Sequence, residues 1–239
     1  MDQWFAPEIL AEEQWKTRQA LPSTLGCDGD FGSYAKANRG DGLATSGIES
    51  HNLVHTRGRV AQYARILNQR TFSRIADIGC GLGMTTNALA QQFPGARVVG
   101  FEVSTDAVEF ARRTFPVCQF IEMAISPDVP LGENFDLILC QEFYPFTRTG
   151  DFDVHRAFVN HFIKYLAPGG ALLIELSERN HEQTILASLD NLGMPTRVCH
   201  LPFDKINRNL PIYNIARMIS WLMARVFSRP RNTCAIIHK

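Results

Sequence analysis

A chain of 239 residues, 45% hydrophobic and 20% charged, is long enough to bury a sizeable core as one large domain or two small ones. Its 24 basic and 24 acidic side chains cancel, which argues against a general nucleic-acid binder, and no run of about eighteen apolar residues is present to cross a membrane as a helix. The six cysteines (Cys27, Cys80, Cys118, Cys140, Cys199 and Cys234) form no C-x-x-C pair, so zinc-site spacing is absent; with no secretory signal pattern at the start, a reducing cytoplasm is the expected location.

The first seventy or so residues precede the regular strand and helix signals. Residues 1–21 set Trp4, Phe5, Ile9, Leu10 and Trp15 among charged residues, the pattern of an amphipathic helix, and residues 22–46 are rich in Gly, Asp, Ser and Asn, the composition of a loop. His51 and His55 lie four positions apart and so share one helical face. A histidine titrating near neutrality is the usual base toward a hydroxyl, although helix histidines commonly cap, pack or face solvent.

Residues 75–83, Ile-Ala-Asp-Ile-Gly-Cys-Gly-Leu-Gly, run from a short apolar strand into three glycines at alternate positions and then into a helix-like stretch. Glycine lets a backbone turn tightly and approach a ligand, and a helix N-terminus just beyond offers N–H groups and a partial positive charge. Together they form a nucleotide cradle. A dinucleotide fingerprint wants G-x-G-x-x-G; here Gly79, Gly81 and Gly83 give G-x-G-x-G and Met84 takes the place of the third glycine, a poor match to NAD. Nineteen positions after Gly83, the strand-like run 97–101 delivers Glu102, an acid placed to accept hydrogen bonds from the two hydroxyls of an unphosphorylated ribose.

The remaining pattern alternates strand and helix, as in an α/β domain with a parallel sheet. Strands are predicted at 74–78, 97–102, 117–122, 135–140, 171–176, 196–201 and 233–238, and helices at 84–93, 104–115, 152–166 and 181–192. Ser104 or Thr105 caps the second helix, Ser177 stands near the start of the last, and Pro168-Gly169-Gly170 ends one helix and turns the chain into the fifth strand. Between the last two strands, Ile212, Ile215, Ile219, Leu222 and Val226 recur at helical spacing, predicting an amphipathic helix over about 210–227. It packs on the domain or roofs an acceptor pocket, with a membrane-surface or homodimer role as the alternatives. Residues 205–239 carry seven basic and no acidic side chains, a candidate contact for an anionic membrane or a phosphorylated substrate.

Three motifs in this order, spanning about residues 70–180, resemble those of the class I S-adenosylmethionine-dependent methyltransferases. They are Asp77-Ile-Gly79-Cys80-Gly81-Leu-Gly83; Glu102 with the Val-Ser-Thr-Asp-Ala-Val-Glu-Phe-Ala-Arg-Arg that follows it; and Leu-Ala-Pro-Gly-Gly-Ala-Leu-Leu-Ile at 166–174. The resemblance implies a Rossmann-like, doubly wound seven-stranded sheet of order 3-2-1-4-5-7-6 with the last strand antiparallel. Residues 1–69 would be a helical and lid segment and residues 70–239 the domain, with the amphipathic helix inserted. It also implies S-adenosylmethionine as cofactor and S-adenosylhomocysteine as product. Gly79, Cys80, Gly81 and Gly83 would line the methionine and ribose moieties, Glu102 would hold the ribose hydroxyls, and Asp77 would hold the loop or meet the ammonium group through water. In many relatives an acid after the third strand binds the adenine amino group; Met123 stands there, so backbone near Ala124, with Met123 or Val103 packing on the purine, is expected instead. The N-terminal segment of such enzymes commonly closes over the cofactor and excludes water, which would put Tyr34, His51, His55 and Arg57 near the acceptor.

The loop 140–146, Cys-Gln-Glu-Phe-Tyr-Pro-Phe, replaces the Asn/Asp-Pro-Pro-Tyr/Phe sequence of adenine and glutamine N-methyltransferases, disfavouring DNA-base methylation. Gln141 and Glu142 lie at the carboxyl end of a central strand, where ligands bind in open α/β sheets. Glu142 is a candidate base or the partner of an N-terminal arginine, and His155 is a further candidate base. Tyr144, Phe143 and Phe146 form an aromatic wall to the pocket or fill a core beneath the loop. Gln141 breaks the carboxylate cluster of metal-dependent catechol-type enzymes, and Glu175 is expected to be paired structurally, so no metal is expected. The expected function is methyl transfer to a small molecule, a hydroxyl of a sugar or secondary metabolite. Alternatives are an N-methyltransferase, a membrane-surface lipid or quinone methyltransferase, and a non-catalytic partner subunit of the same fold. An NAD(P)-dependent oxidoreductase is weakened by Met84 and by the lack of a Tyr-x-x-x-Lys pair.

Overall fold

The computed structural model describes residues 53–147, 150–176, 179–193, 195–201 and 232–239. In chain order these form α1 (Leu53–Ile66), β1 (Arg74–Ile78), α2 (Met84–Gln92), β2 (Arg97–Glu102), α3 (Thr105–Thr114), β3 (Gln119–Glu122), β4 (Phe135–Gln141), α4 (Tyr144–Thr147), α5 (Phe152–Lys164), β5 (Leu166–Leu176), α6 (Arg179–Asp190), β6 (Thr196–Leu201) and β7 (Asn232–His238). The strands make one sheet of order β3-β2-β1-β4-β5-β7-β6, parallel except for β7, which runs antiparallel between β5 and β6. Order and antiparallel strand are those the resemblance implies.

The central strands are nearly continuous apolar runs because helices cover both faces. Alternation then sorts their side chains. Ala76, Ile78, Ile138, Cys140, Leu172 and Ile174 pack with Phe158, Phe162, Ile185 and Leu189 on the α5/α6 face. Ile75, Leu137, Leu139, Ala171 and Leu173 meet Val60, Tyr63, Ala64, Leu67 and Leu89 on the α1/α2 face. Each Val, Leu, Ile or Phe among them contributes about 1.5–3 kcal/mol when removed from water. Two helix starts are fixed by side-chain caps: Ser104 accepts from the Ala107 N–H, as expected, and Asp151 accepts from the N–H groups of Asp153 and Val154.

The predicted helix 152–166 stops earlier, at Lys164, and β5 opens at Leu166, so that Pro168-Gly169-Gly170, read as a turn, lies within the strand. Leu166 pairs with Phe135, and the register then shifts before Leu137 meets Ala171. The glycines at this sheet end exchange backbone bonds with the last residue, Gly169 N–H to Lys239 O and Lys239 N–H to Gly170 O, both 3.2 Å. Proline, which has no N–H to give a ladder, is tolerated at such a strand start. Helix α1 lies within the segment expected to be helical, though its bounds were not predicted, and places residues from before the first strand in the core of the α1/α2 face; α4 was not predicted. No described helix is long and apolar enough to cross a membrane. Ser177 and the 210–227 amphipathic stretch lie outside the described residues.

Candidate functional site

The chain leaves β1 through three left-handed glycines, Gly79 (φ +71°), Gly81 (+52°) and Gly83 (+80°). The N–H groups of Gly79 and Cys80 donate to Phe101 O at 2.9 and 3.0 Å, tying the turn to β2. Glu102, 9% exposed at the end of β2, accepts from Gly81 N–H at 2.9 Å through one oxygen and from Val103 and Ser104 N–H at 2.9 and 3.0 Å through the other. The carboxylate is thereby fixed at the lip of the turn.

The glycines differ in what surrounds them. A Cβ on Gly83 would lie 2.7 Å from the Phe120 ring and 2.9 Å from the Ala111 methyl, whereas one on Gly81 would meet nothing within 4 Å. Gly83 therefore lets α2 pack against α3 and β3, while Gly81 borders open space. Cys80 is buried with Val108, Ala111, Phe115 and Phe120, so only its backbone lines the turn; burial, helped by Asp77 and Glu102, pushes its thiol pKa up.

Three adjacent strands each end in a polar side chain on the α1/α2 face. Thr86 Oγ1 donates to Asp77 Oδ2 at 2.7 Å, Thr85 Oγ1 donates to Gln141 Oε1 at 3.1 Å, and the Tyr63 hydroxyl donates to Glu175 Oε2. Gln141 and Glu175 are register partners across β4 and β5. Burial raises the Tyr63 pKa and Glu175 adds to it, so this phenol keeps the proton it donates.

Asp77 is 1% exposed, and burial raises its pKa to about 7, against the Thr86 hydrogen bond and with a smaller push from Glu102. An unfolded aspartate titrates near ~3.9. Between that value and about 7 the unfolded chain has released a proton that the folded one keeps, so this group's contribution to stability falls as pH rises through the window and levels off above it. We therefore expect the thermal stability of Asp77→Asn relative to the native protein to increase between pH 4 and pH 8, by about 1.4 kcal/mol per unit crossed at most. A difference that stays flat across thermal melts at those pH values would contradict the assignment.

Beyond the cradle, Arg59 of α1 sets its guanidinium between two carboxylates, with Nε 3.8 Å from Glu175 Oε1 and Nη1 3.8 Å from Glu142 Oε1. Glu142 follows β4 directly and holds φ at +51°, a region that costs a non-glycine residue about 1–2 kcal/mol. Of its two expected roles, the structure displays the pairing with an arginine from before the first strand. Glu175 is paired as anticipated, with Tyr63 and Arg59.

Other candidates are placed elsewhere or not at all. His155 is fully buried, with Nδ1 3.3 Å from Ser188 Oγ and its ring 5.8 Å from that of Phe146, in the packing between α5 and α6. Phe143 and Phe146 belong to the core. Val103 borders Glu102 through its N–H, and Met123 donates its N–H to Glu102 O at 2.8 Å while its side chain packs on the core edge, next to the partly exposed Ala124. Tyr34 and His51 lie outside the described residues. His55 sits in the first turn of α1 and Tyr144 opens α4; their side chains are likewise outside the described set. Sequence reasoning missed Arg59, Tyr63, Thr85 and Thr86. The available signals were the four-residue spacing of Arg59 and Tyr63 and the Thr-Thr pair just after the glycines.

Residues 75–170 match a family model described as a methyltransferase domain. The chain is 32% identical over 111 residues to trans-aconitate 2-methyltransferase of Paracidovorax citrulli, a stretch covering 46% of this chain and 41% of that protein. Against the enzyme of the same name from Escherichia coli K12 it is 31% identical over 110 residues, again 46% and 41%. The chain thus spans about two-fifths of the length of these relatives. Among solved structures, the N-methyltransferase NodS from Bradyrhizobium japonicum in complex with S-adenosylhomocysteine superposes with a TM-score of 0.55 at 18% identity, covering 77% of this chain and 86% of that one. The plantazolicin methyltransferase BpumL, also in complex with S-adenosylhomocysteine, superposes at 0.54 and 15% identity over 97% of this chain and 98% of that one. At these identities what is shared is the fold.

Proposed function

We propose that this chain, whose residues 75–170 match a methyltransferase-domain model, is a class I S-adenosylmethionine-dependent methyltransferase that binds S-adenosylmethionine in its glycine turn and transfers the methyl group to a small-molecule acceptor. The observation that carries the reading is the pairing of an open Gly81 with a fixed Glu102 carboxylate. These residues fit the cofactor: the turn leaves room for close backbone approach, and Glu102 would accept from ribose hydroxyls. Partly exposed Val103, Met123 and Ala124 would hold the purine, with backbone groups in place of the acid that Met123 displaces. Asp77 is near enough to ionising at neutral pH to answer a nearby cationic group.

The bound cofactor supplies a methyl group already activated by the positive charge on its sulfur. What remains for the protein is to align the acceptor, exclude water and, for a hydroxyl, take up its proton. Glu142, at the carboxyl end of β4 in a conformation held against strain and facing Arg59, is assigned that proton. His55, one turn before Arg59 on α1, is the alternative base, and the closure of the N-terminal segment that the resemblance implies would bring Tyr34 and His51, with Tyr144 of the β4 loop, to the acceptor.

A second reading draws on the matched relatives, which are named for methylation of trans-aconitate. A carboxylate acceptor needs no base, and Arg59 would then orient the acid. Methyl-labelled S-adenosylmethionine offered with panels of sugars and phenols, of carboxylic acids including trans-aconitate, and of amines tests both. Label on a hydroxyl supports the first reading, label on an acid the second, and label on amines alone contradicts both.

Glu102→Ala is expected to weaken S-adenosylhomocysteine binding by about 1–3 kcal/mol, roughly 5- to 150-fold, because a charged acceptor is lost. Titration calorimetry on the folded variant checks it, and unchanged affinity would remove Glu102 from the site.

A further inference from the structure

Cys199 of the edge strand β6 stands directly opposite Cys234 of β7 in antiparallel register. Opposed residues in such a ladder lie about 4.5 or 5.5 Å apart at Cα, inside the roughly 4.4–6.8 Å that a disulfide spans, and project to the same face. Here that face is the α1 side, where both side chains pack in one apolar cluster, Cys234 fully buried and Cys199 partly exposed. Both thiols are free. Of the other described cysteines, Cys140 is opposed by Ile78 and Ile174, and Cys80 and Cys118 lie outside the strands.

We propose that Cys199 and Cys234 form a reversible modification site, a cross-strand disulfide made by a peroxide. Cys199 is the residue a peroxide reaches: its sulfur takes one peroxide oxygen to become a sulfenic acid, with release of one water. The Cys234 sulfur then attacks the Cys199 sulfur, the S–O bond breaks, and the hydroxyl leaves with the Cys234 proton as a second water. The two thiols lose two electrons and two hydrogens, and one peroxide is reduced to two waters. Burial, with Glu175 and Cys199 beside it, raises the Cys234 pKa, which makes it the resolving rather than the first-reacting partner. The staple closes residues 200–233 into a loop, so the stretch with the amphipathic pattern is tied at both ends. It is also tied beside Glu175, the register partner of Cys234 on β5.

The test uses the full chain and needs no acceptor. After one equivalent of hydrogen peroxide, remaining thiols are capped with N-ethylmaleimide and the digest is mapped by mass. The expected product joins the peptides bearing Cys199 and Cys234, is lighter by two hydrogens and is reversed by dithiothreitol. The oxidised protein should melt about 5–10 °C higher, as closing a loop of this size implies, and Cys199→Ser should show neither change. Recovery of both peptides singly capped, or of Cys199 as sulfinic acid with Cys234 capped, or of either joined to another cysteine, would overturn the proposal. Mapping of the native chain alone decides this if the variant does not fold.

Discussion

Gly83→Val is expected to lower the unfolding midpoint by about 4–20 °C, and to do so whether or not any ligand is present. Two costs add. The residue holds φ at +80°, where a β-branched side chain pays about 1–2 kcal/mol, and its Cβ would come within 2.7 to 2.9 Å of the Phe120 ring and the Ala111 methyl. Overpacking of that kind costs about 1–3 kcal/mol, and in a chain of this size each kcal/mol moves the midpoint by about 2–4 °C. Neither neighbour gives way easily: Phe120 is buried on β3 and Ala111 on α3. A thermal melt within two degrees of the native protein would mean that α2 and α3 are spaced differently from this account.

Gly81→Val, two positions earlier, should behave in the opposite way. Its φ of +52° imposes a similar strain, but nothing stands within 4 Å of the new Cβ, so the midpoint falls by only a few degrees. The loss appears on ligand addition, because the side chain fills the space the cofactor needs and pushes on the N–H that Glu102 holds. An overlap of about 3 kcal/mol corresponds to an affinity loss of about 100-fold for S-adenosylhomocysteine. Titration of the folded variant with native affinity would place the cradle elsewhere. Together the two substitutions separate a glycine required by packing from one required by the ligand, within one motif.

The strands and the cradle were legible because their causes are local. Runs of Val, Ile, Leu and Phe bounded by glycine mark strands buried on both faces, and the alternate glycines with Glu102 mark the turn. The order of the strands came from the family resemblance, since no local pattern tells which strand lies beside which. The opening of β5 was misread because Pro168-Gly169-Gly170 has the composition of a turn; what makes it sheet is pairing with Phe135 and with Lys239, the far end of the chain. The same reason hid the polar edge at the ends of β4 and β5. Tyr63 and Glu175 are 112 positions apart, and Arg59 reaches two strand ends that only the fold brings together. Glu142 could be named from its place after a central strand, but its positive φ and its cation become visible only in three dimensions. His155 looked equally available from sequence and lies instead against Ser188, since a helix pattern does not say which polar residue its neighbour will cover.

The row Asp77, Gln141 and Glu175 has a consequence for how the site is held. Each side chain is bonded to a helix on one face of the sheet, Asp77 and Gln141 to the first turn of α2 and Glu175 to α1. The glycine turn is therefore braced by α2, and the ends of β4 and β5 by α2 and α1. Buried hydrogen-bonded groups of this kind fix relative positions because a partner lost leaves the other unsatisfied.

Parallel calorimetric titration of the full chain with S-adenosylmethionine, S-adenosylhomocysteine and NADH decides whether the glycine turn holds the methyl donor. One-to-one binding of the first two in the micromolar range is expected, weakened in Glu102→Ala and by about 100-fold in Gly81→Val, with no heat from NADH. Binding of NADH alone, or binding of S-adenosylhomocysteine that is indifferent to both substitutions, would contradict it.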